Sequence, residues 1–312
     1  MMKTILVKAI AGFAFTFFSG LAVAQLVVAP IDGSTVSANT MANSLLGSNS
    51  GIVINGASYT GANGASGTFS GGAGIINIAG GILLTSGSVN NVVGPNNDAG
   101  ASGENGLAGD SDLSVLAGVD TFDASVLMID FVPSGSQIQF SYVFGSEEYN
   151  EFVNQFNDAF GFFVNGTNYA LIPGTSTPVT INNVNCGVSD SGVAPVGPGV
   201  HCNLFVNNDP PSHNTQLDGF TTVLTFTAPV NPGVSNTLKI AIADAADDQL
   251  DSAVFIAGGS LSVCGGPNQP ACGGGSDQAA QAASVPMLGP WLLALLVTLA
   301  ALFGTYALRS RF

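Results

Sequence analysis

Cations are what this sequence most conspicuously lacks. Only 5 of its 312 residues are Lys or Arg, against 20 Asp or Glu, for a formal net charge of -15. Lys3, Lys8, Arg309 and Arg311 lie at the chain ends, so Lys239 is the only cationic side chain between Gln25 and Pro290, where all 20 acids sit. That excludes nucleic acid as a partner, because nothing in the body would neutralise phosphates or release their counterions. Anionic lipid is excluded as a partner of this surface for the same reason. Charged residues make up 8% of the chain, against roughly 25% in ordinary soluble domains. Hydrophobic content is nevertheless 46%, so the chain has the material for a core and is not a charge-expanded disordered polymer. The single tryptophan, Trp291, stands near the C-terminus, leaving the body without its best sugar-stacking side chain. G-x-S-x-G, a phosphate-binding glycine loop closed by Lys, the EF-hand loop, the Gly-Asp nonapeptide repeat and C-x-x-C are all missing.

What is present begins with two apolar ends. Lys3 and Lys8 precede the apolar run Ala9 to Val23, which ends in Ala22-Val23-Ala24. A basic start, a short apolar stretch and an A-x-A site predict a signal peptide over 1–24, cleaved after Ala24. A second apolar run, Leu288 to Leu308, is long enough for a transmembrane helix, with Trp291 at interfacial depth and Arg309 and Arg311 on the cytoplasmic side. Residues 265–284 are rich in Gly, Ala, Gln and Ser and read as a linker. The tail 285–312 opens with Val285-Pro286-Met287-Leu288 and Trp291, and resembles the bacterial IPTL-type sorting signals, relatives of the PEP-CTERM class. That resemblance implies a sorting or processing enzyme as a partner. The alternative is a retained single-span membrane anchor. The expected location is the inner membrane facing the periplasm, or the cell surface or exterior after sorting.

The four cysteines, Cys186, Cys202, Cys264 and Cys272, all fall in the exported part, where an even count favours disulfides. Of three possible connectivities the local one, Cys186 with Cys202 and Cys264 with Cys272, is expected. A zinc site using His201 and His213 is the competitor.

Between 25 and 264 the pattern is short β runs separated by Gly, Asn, Ser and Pro. Strands are predicted at Val126 to Val132, Gln137 to Phe144, Phe160 to Val164, Tyr169 to Ile172, Thr221 to Thr227, Thr237 to Ala243 and Ala253 to Val263. Ile138, Phe140, Tyr142 and Phe144 alternate onto one buried face. Short helices are predicted at Ser37 to Leu46 and Ser111 to Ala117, each opened by a capping side chain. The fold class is all-β: a two-sheet, jelly-roll-like β-sandwich with a few short helices, followed by the C-terminal transmembrane helix.

Several segments are similar, in order, to the choice-of-anchor L domain family. They are Val143-Phe144-Gly145-Ser146-Glu147-Glu148-Tyr149, Asn157-Asp158-Ala159-Phe160-Gly161, Leu171-Ile172-Pro173-Gly174, Leu217-Asp218-Gly219-Phe220, Ile242-Ala243-Asp244 and Asp251-Ser252-Ala253-Val254-Phe255. The resemblance spans about Leu26 to Val263. It implies an exported domain carried to the surface by one of several C-terminal signals, and leaves its biochemical role open.

The acids cluster at strand ends: Asp110 and Asp112; Glu147, Glu148 and Glu151; Asp158; and Asp244, Asp247, Asp248 and Asp251. Carboxylates without cationic neighbours suit Ca²⁺, which takes roughly six to eight oxygen ligands. Glu147, Glu148, Asp158, Asp244 and Asp251 are the foremost candidate ligands, expected near the domain edge. Asp110, Asp112, Asp247, Asp248 and the amides Asn96, Asn97 and Asn157 are further candidates. The bland alternative is that these acids are solvated turn residues. Three functions follow. The first is a calcium-stabilised, non-enzymatic adhesion, recognition or matrix module that binds a protein ligand, with the Pro-rich loop Asn185 to Asn214 as its face. The second is a lectin-like glycan-binding module. The third is a glycoside hydrolase with Glu147 or Glu148 as acid and Asp158 or Asp244 as base or nucleophile.

Overall fold

The computed structural model describes residues 24–266, 269, 271 and 272. The expected signal peptide up to residue 23, most of the linker, the sorting motif and the apolar run 288–308 lie outside the described residues. Among the described residues no helix is long and apolar enough to cross a membrane.

Fourteen strands and two short helices form the domain. In chain order they are β1 (Val27–Pro30), α1 (Ala38–Ser44), β2 (Ile52–Thr60), β3 (Ser66–Ser70), β4 (Gly80–Thr85), α2 (Ser111–Ala117), β5 (Thr121–Pro133), β6 (Gln137–Ser146), β7 (Ala159–Val164) and β8 (Thr167–Asn168). They continue with β9 (Phe205–Asn207), β10 (Gly219–Thr221), β11 (Leu224–Pro229), β12 (Asn236–Ala245), β13 (Ser252–Ala257) and β14 (Ser262–Val263). The first sheet runs β1-β3-β4-β13-β6-β10-β9, with β11 and β14 also paired to β6. The second runs β2-β5-β12-β7-β8, and every named pairing is antiparallel.

Alternation builds the core. Phe140, Tyr142 and Phe144 of β6 and Phe160 and Phe162 of β7 face one another between the sheets, all at most 1% exposed. Phe144 stacks on Phe160 at 4.6 Å and Phe140 meets Phe162 edge-on at 4.9 Å, geometries worth about 0.5–1.5 kcal/mol each beyond area burial. The outer faces are covered as well. Val143, Ala253 and Phe255 pack under Leu26, Ile75, Ile76 and Phe220, while Ala159, Phe163, Ala241 and Ala243 pack under Leu113 of α2.

The expected two-sheet architecture is present, and both helices form, α1 capped by Ser37 and α2 by Asp110. Three strand expectations need correction. Tyr169 to Ile172 is not a strand: Asn165 and Gly166, both at positive φ, make a tight hairpin. Pairing there is confined to β8, and Leu171 makes only an isolated bridge to Pro178. Thr221 to Thr227 is interrupted where the Thr222 N–H donates to the Leu204 carbonyl instead of the ladder. Ala253 to Val263 is broken at Gly258 and Gly259, whose N–H groups donate to Gly80 and Ser44.

Candidate functional site

One end of the sandwich gathers six of the acids. Glu147 and Glu148 follow β6, Asp218 precedes β10, Asp251 precedes β13, Asp158 precedes β7, and Asp244 lies near the end of β12. Antiparallel register brings these ends together. Ser252 and Gly219 both stand opposite Ser146 in the first sheet, and Ala243 opposite Ala159 in the second. The two sheets touch here: Ser252 Oγ donates to Asp158 Oδ2 at 2.6 Å, and the Ser146 hydroxyl lies 2.9 Å from Ser252 Oγ.

The five foremost candidates stand at strand ends, and they are buried rather than solvated as the bland alternative has it. Glu147, Glu148, Asp158 and Asp244 are each 1% exposed and Asp251 is 3% exposed. Polar loop residues close over the strand ends. Asn91 Nδ2 and the Gly103 N–H each donate to Asp251 at 3.0 Å, and Asn96 Nδ2 donates to Asp218 Oδ1 at 2.6 Å. Gly87 leaves the room that Asp251 fills: a Cβ there would stand 1.8 Å from Asp251 Oδ2.

The pleat divides the acids between two sides of the first sheet. Phe144 points into the intersheet core and Val143 outward. By that alternation Ser146, the last residue of β6, points inward; the chain then bends, and the two glutamates meet different acids, Glu147 lying near Asp218, Asp251 and Asp98 and Glu148 near Asp158, Asp247 and Glu151. By the same parity Asp251 and Asp218 point outward, since Ala253 and Phe220 do. On the second sheet Ile242 and Phe160 face the core, so Asp244 and Asp158 point inward. The inner group is therefore Glu148, Asp158 and Asp244, and the outer group Glu147, Asp218 and Asp251.

Hydrogen bonding separates satisfied carboxylates from unsatisfied ones. Asp158 accepts from the Ala245 N–H and the Ser252 hydroxyl, and Asp251 has a partner on each oxygen. Asp123, held at φ 50° in a bulge of β5, turns its carboxylate to accept from the Asn105 and Leu107 N–H groups. By contrast both oxygens of Glu147 and of Asp244, Oε2 of Glu148 and Oδ2 of Asp218 are buried without a partner in hydrogen-bonding geometry, although the Gln216 and Ser86 side chains lie close enough to Glu147 and Asp244 to offset a little of the effect of burial. A buried polar atom left bare costs about 1–3 kcal/mol, and a charged one more.

The electrostatics follow from burial first and neighbouring acids second. Burial, then Asp218, Asp251 and Asp98, pushes Glu147 up to about 10. Burial, then Asp158, Asp247 and Glu151, does the same to Glu148, to about 10. Asp158 and Asp218 rise to about 7, burial being partly offset by the Ser252 and Asn96 hydrogen bonds respectively. Asp244 is held well above the usual carboxyl range by burial and by Asp158, and Asp251 is raised by burial. Glu147 and Glu148 therefore keep their protons at neutral pH unless a cation compensates the buried charge, while Asp158 and Asp218 stand near the midpoint of their titration there.

The remaining candidates sit elsewhere or are otherwise engaged. Asp110 and Asp112 hold Lys239 Nζ, at 2.6 Å and 2.8 Å. Asp247 and Asp248 are half-buried beside Asp244, with Asp247 accepting from the Gln249 N–H. The Asn157 amide oxygen accepts from the Asn182 N–H. Asn96 does reach the outer group through Asp218, whereas the Asn97 N–H donates to Gln216.

Both expected disulfides, Cys186–Cys202 and Cys264–Cys272, are present, so the zinc alternative loses its thiolates. His201 instead bonds the Asn183 carbonyl and His213 the Ser212 hydroxyl. Asp123, Asp218, Ser146 and Ser252 were missed as site residues, although strand parity, carried to the strand ends, finds all but Asp123. Surface hollows beside α2 (Val115, Val119, Phe122) and beside β2 (Ile52, Val53, Pro133) contain none of the five foremost acids.

Among the described residues no group of three or more His, Cys, Asp and Glu side chains is arranged to hold a metal ion. A cation at this end therefore has to draw the carboxylates inward and complete its shell with amide, hydroxyl and backbone oxygens.

Compared with known families, residues 28–262 match the model of the choice-of-anchor L domain. No curated protein and no solved structure matches the chain.

Proposed function

The chain belongs to the choice-of-anchor L domain family, and from that premise we propose that it is a calcium-stabilised, non-enzymatic recognition module. Family membership and the two disulfides fit an exported bacterial surface protein. One observation carries the calcium reading: buried Glu147 and Asp244 have no hydrogen-bond partner on either carboxylate oxygen, and Lys239, the one Lys or Arg among the described residues, is committed elsewhere, to Asp110 and Asp112. Divalent cations bound there would fix the strand-end loops and so hold a presenting face in shape. The disulfide-closed loop around Cys186–Cys202, with Val188, Val193, Val196 and Val200 exposed, supplies such a face for a protein or glycan ligand. Burial of both glutamates to 1% exposure supports a binding role over hydrolysis, because a general acid has to reach the glycosidic oxygen.

The test is thermal unfolding of the chain stripped with EDTA, repeated with millimolar Ca²⁺ and with Mg²⁺. At Ca²⁺ about 100-fold above the dissociation constant, one site adds about 2.7 kcal/mol. In a domain of this size that raises the midpoint by about 5–10 °C. An unchanged midpoint with cooperative unfolding in EDTA would overturn the calcium reading. It would also move glycan-binding and hydrolase assays, with Glu147→Gln as the control, to the front.

A further inference from the structure

Consecutive residues after β6, Glu147 and Glu148, meet different acids: Glu147 lies near Asp218 and Asp251, which precede strands whose outward residues share their parity, and Glu148 lies near Asp158, which is bonded to Ser252 between the sheets. Between those groups stands the sheet backbone, closed by the Ser252–Ser146 pairing and by the Glu147 N–H donating to the Asp251 carbonyl at 3.1 Å. Bare buried oxygens occur on both sides. Inside are Asp244 Oδ1 and Oδ2 and Glu148 Oε2; outside are Glu147 Oε1 and Oε2 and Asp218 Oδ2. A calcium ion holds its ligands at about 2.3–2.6 Å, so an ion seated between the sheets cannot also take Glu147 and Asp218 through the strand. One cation leaves the other set of buried carboxyl oxygens to be neutralised by protons alone.

We propose that this end of the sandwich binds two calcium ions on opposite sides of the first sheet. The inner ion is held by Asp244, Glu148 and Asp158, and the outer ion by Glu147 and Asp218. The inference rests on the calcium reading above and adds its stoichiometry and ligand sets. The inner ion joins the two sheets, since Glu148 follows β6 of the first while Asp244 and Asp158 belong to β12 and the head of β7 of the second. The outer ion joins β6 and β10 of one sheet only and lies beside the Asn96 and Gln216 amides, Gln216 Nε2 standing 3.4 Å from Asn96 Oδ1.

The experiment is calorimetric titration of the EDTA-stripped full chain with CaCl₂, counting equivalents, alongside Glu147→Gln and Asp244→Asn. Two equivalents are expected in the unmutated chain, one in each single variant and none in the double variant. A single equivalent in the unmutated chain overturns the two-ion inference and leaves the calcium reading standing. Loss of both equivalents in either folded single variant also overturns it, because the two sets would then serve one centre. No uptake overturns both readings. If a variant fails to give the circular dichroism of the unmutated chain, the count on the unmutated chain decides alone.

Discussion

The domain treats acids in two opposite ways at two places, and the contrast shows what the scarcity of cations does. Over the outer face of the second sheet, Asp110 and Asp112 meet Lys239, whose ammonium lies 2.6 Å and 2.8 Å from them and 5.2 Å from the centre of the Phe163 ring. These charges are paired, and Asp112 is largely exposed. At the strand ends, Glu147, Glu148, Asp158 and Asp244 are buried to the same depth as the phenylalanines of the core, and among the described residues no lysine or arginine meets them. A paired, half-exposed acid ionises at little cost. A buried unpaired one stores an electrostatic penalty that protons or a metal ion must relieve.

The strongest way to sharpen this contrast is pH. In the calcium-free chain the carboxyls of Glu147 and Glu148, at about 10, and of Asp158 and Asp218, at about 7, lie above their unfolded values. The folded state then binds more protons than the unfolded state, so stability is fully present below about pH 4 and is lost as pH rises through the folded values. Denaturant unfolding in EDTA should show stability falling between pH 5 and pH 8.5 by about 3 kcal/mol or more, each pH unit between folded and unfolded pKa being worth about 1.4 kcal/mol. Saturating Ca²⁺ should flatten that fall. A rise with pH in EDTA would break the comparison, since it would mean the acid end is ionised and compensated from within the chain.

A smaller effect is expected from Asp244→Asn. Without calcium at pH 8 it should stabilise the fold by about 1–2 kcal/mol, because it deletes a buried ionisable group that has no partner. With calcium it should be the less stable protein, having lost an ion. Chemical denaturation of both forms with and without Ca²⁺ reads the crossover, and parallel curves would contradict it.

The smallest effect on calcium binding belongs to the paired region. Lys239→Met strips Asp110, whose side chain is 17% exposed, of its cation and should cost about 1–3 kcal/mol, yet should leave the calcium-induced midpoint shift unchanged. A variant that abolished the calcium response would tie the two regions together and refute their independence.

Much of this was legible in the residues. The alternation of Ile138, Phe140, Tyr142 and Phe144 located β6 and its buried face, and the capping side chains of Ser37 and Asp110 located both helices. An even cysteine count in an exported chain, with local pairing, anticipated both disulfides. Strand breaks were not legible at Thr222 or at Gly258–Gly259, because each depends on a carbonyl supplied from a distant segment. The Asn165-Gly166 turn was readable and was passed over, which misplaced the strand expected at Tyr169.

By itself, the sequence determined the all-β class, the scarcity of cations and the identity of the acids, since these depend on composition and on a two-residue period. Tertiary structure alone decided that Glu148 and Asp244, from separate strand ends, are buried near Asp158, and that Glu147 is buried near Asp218. The physical reason is that burial is set by the loops that close over the strand ends. Asn91, Gly103, Asn96 and the room left at Gly87 come from a chain segment far from the acids they enclose.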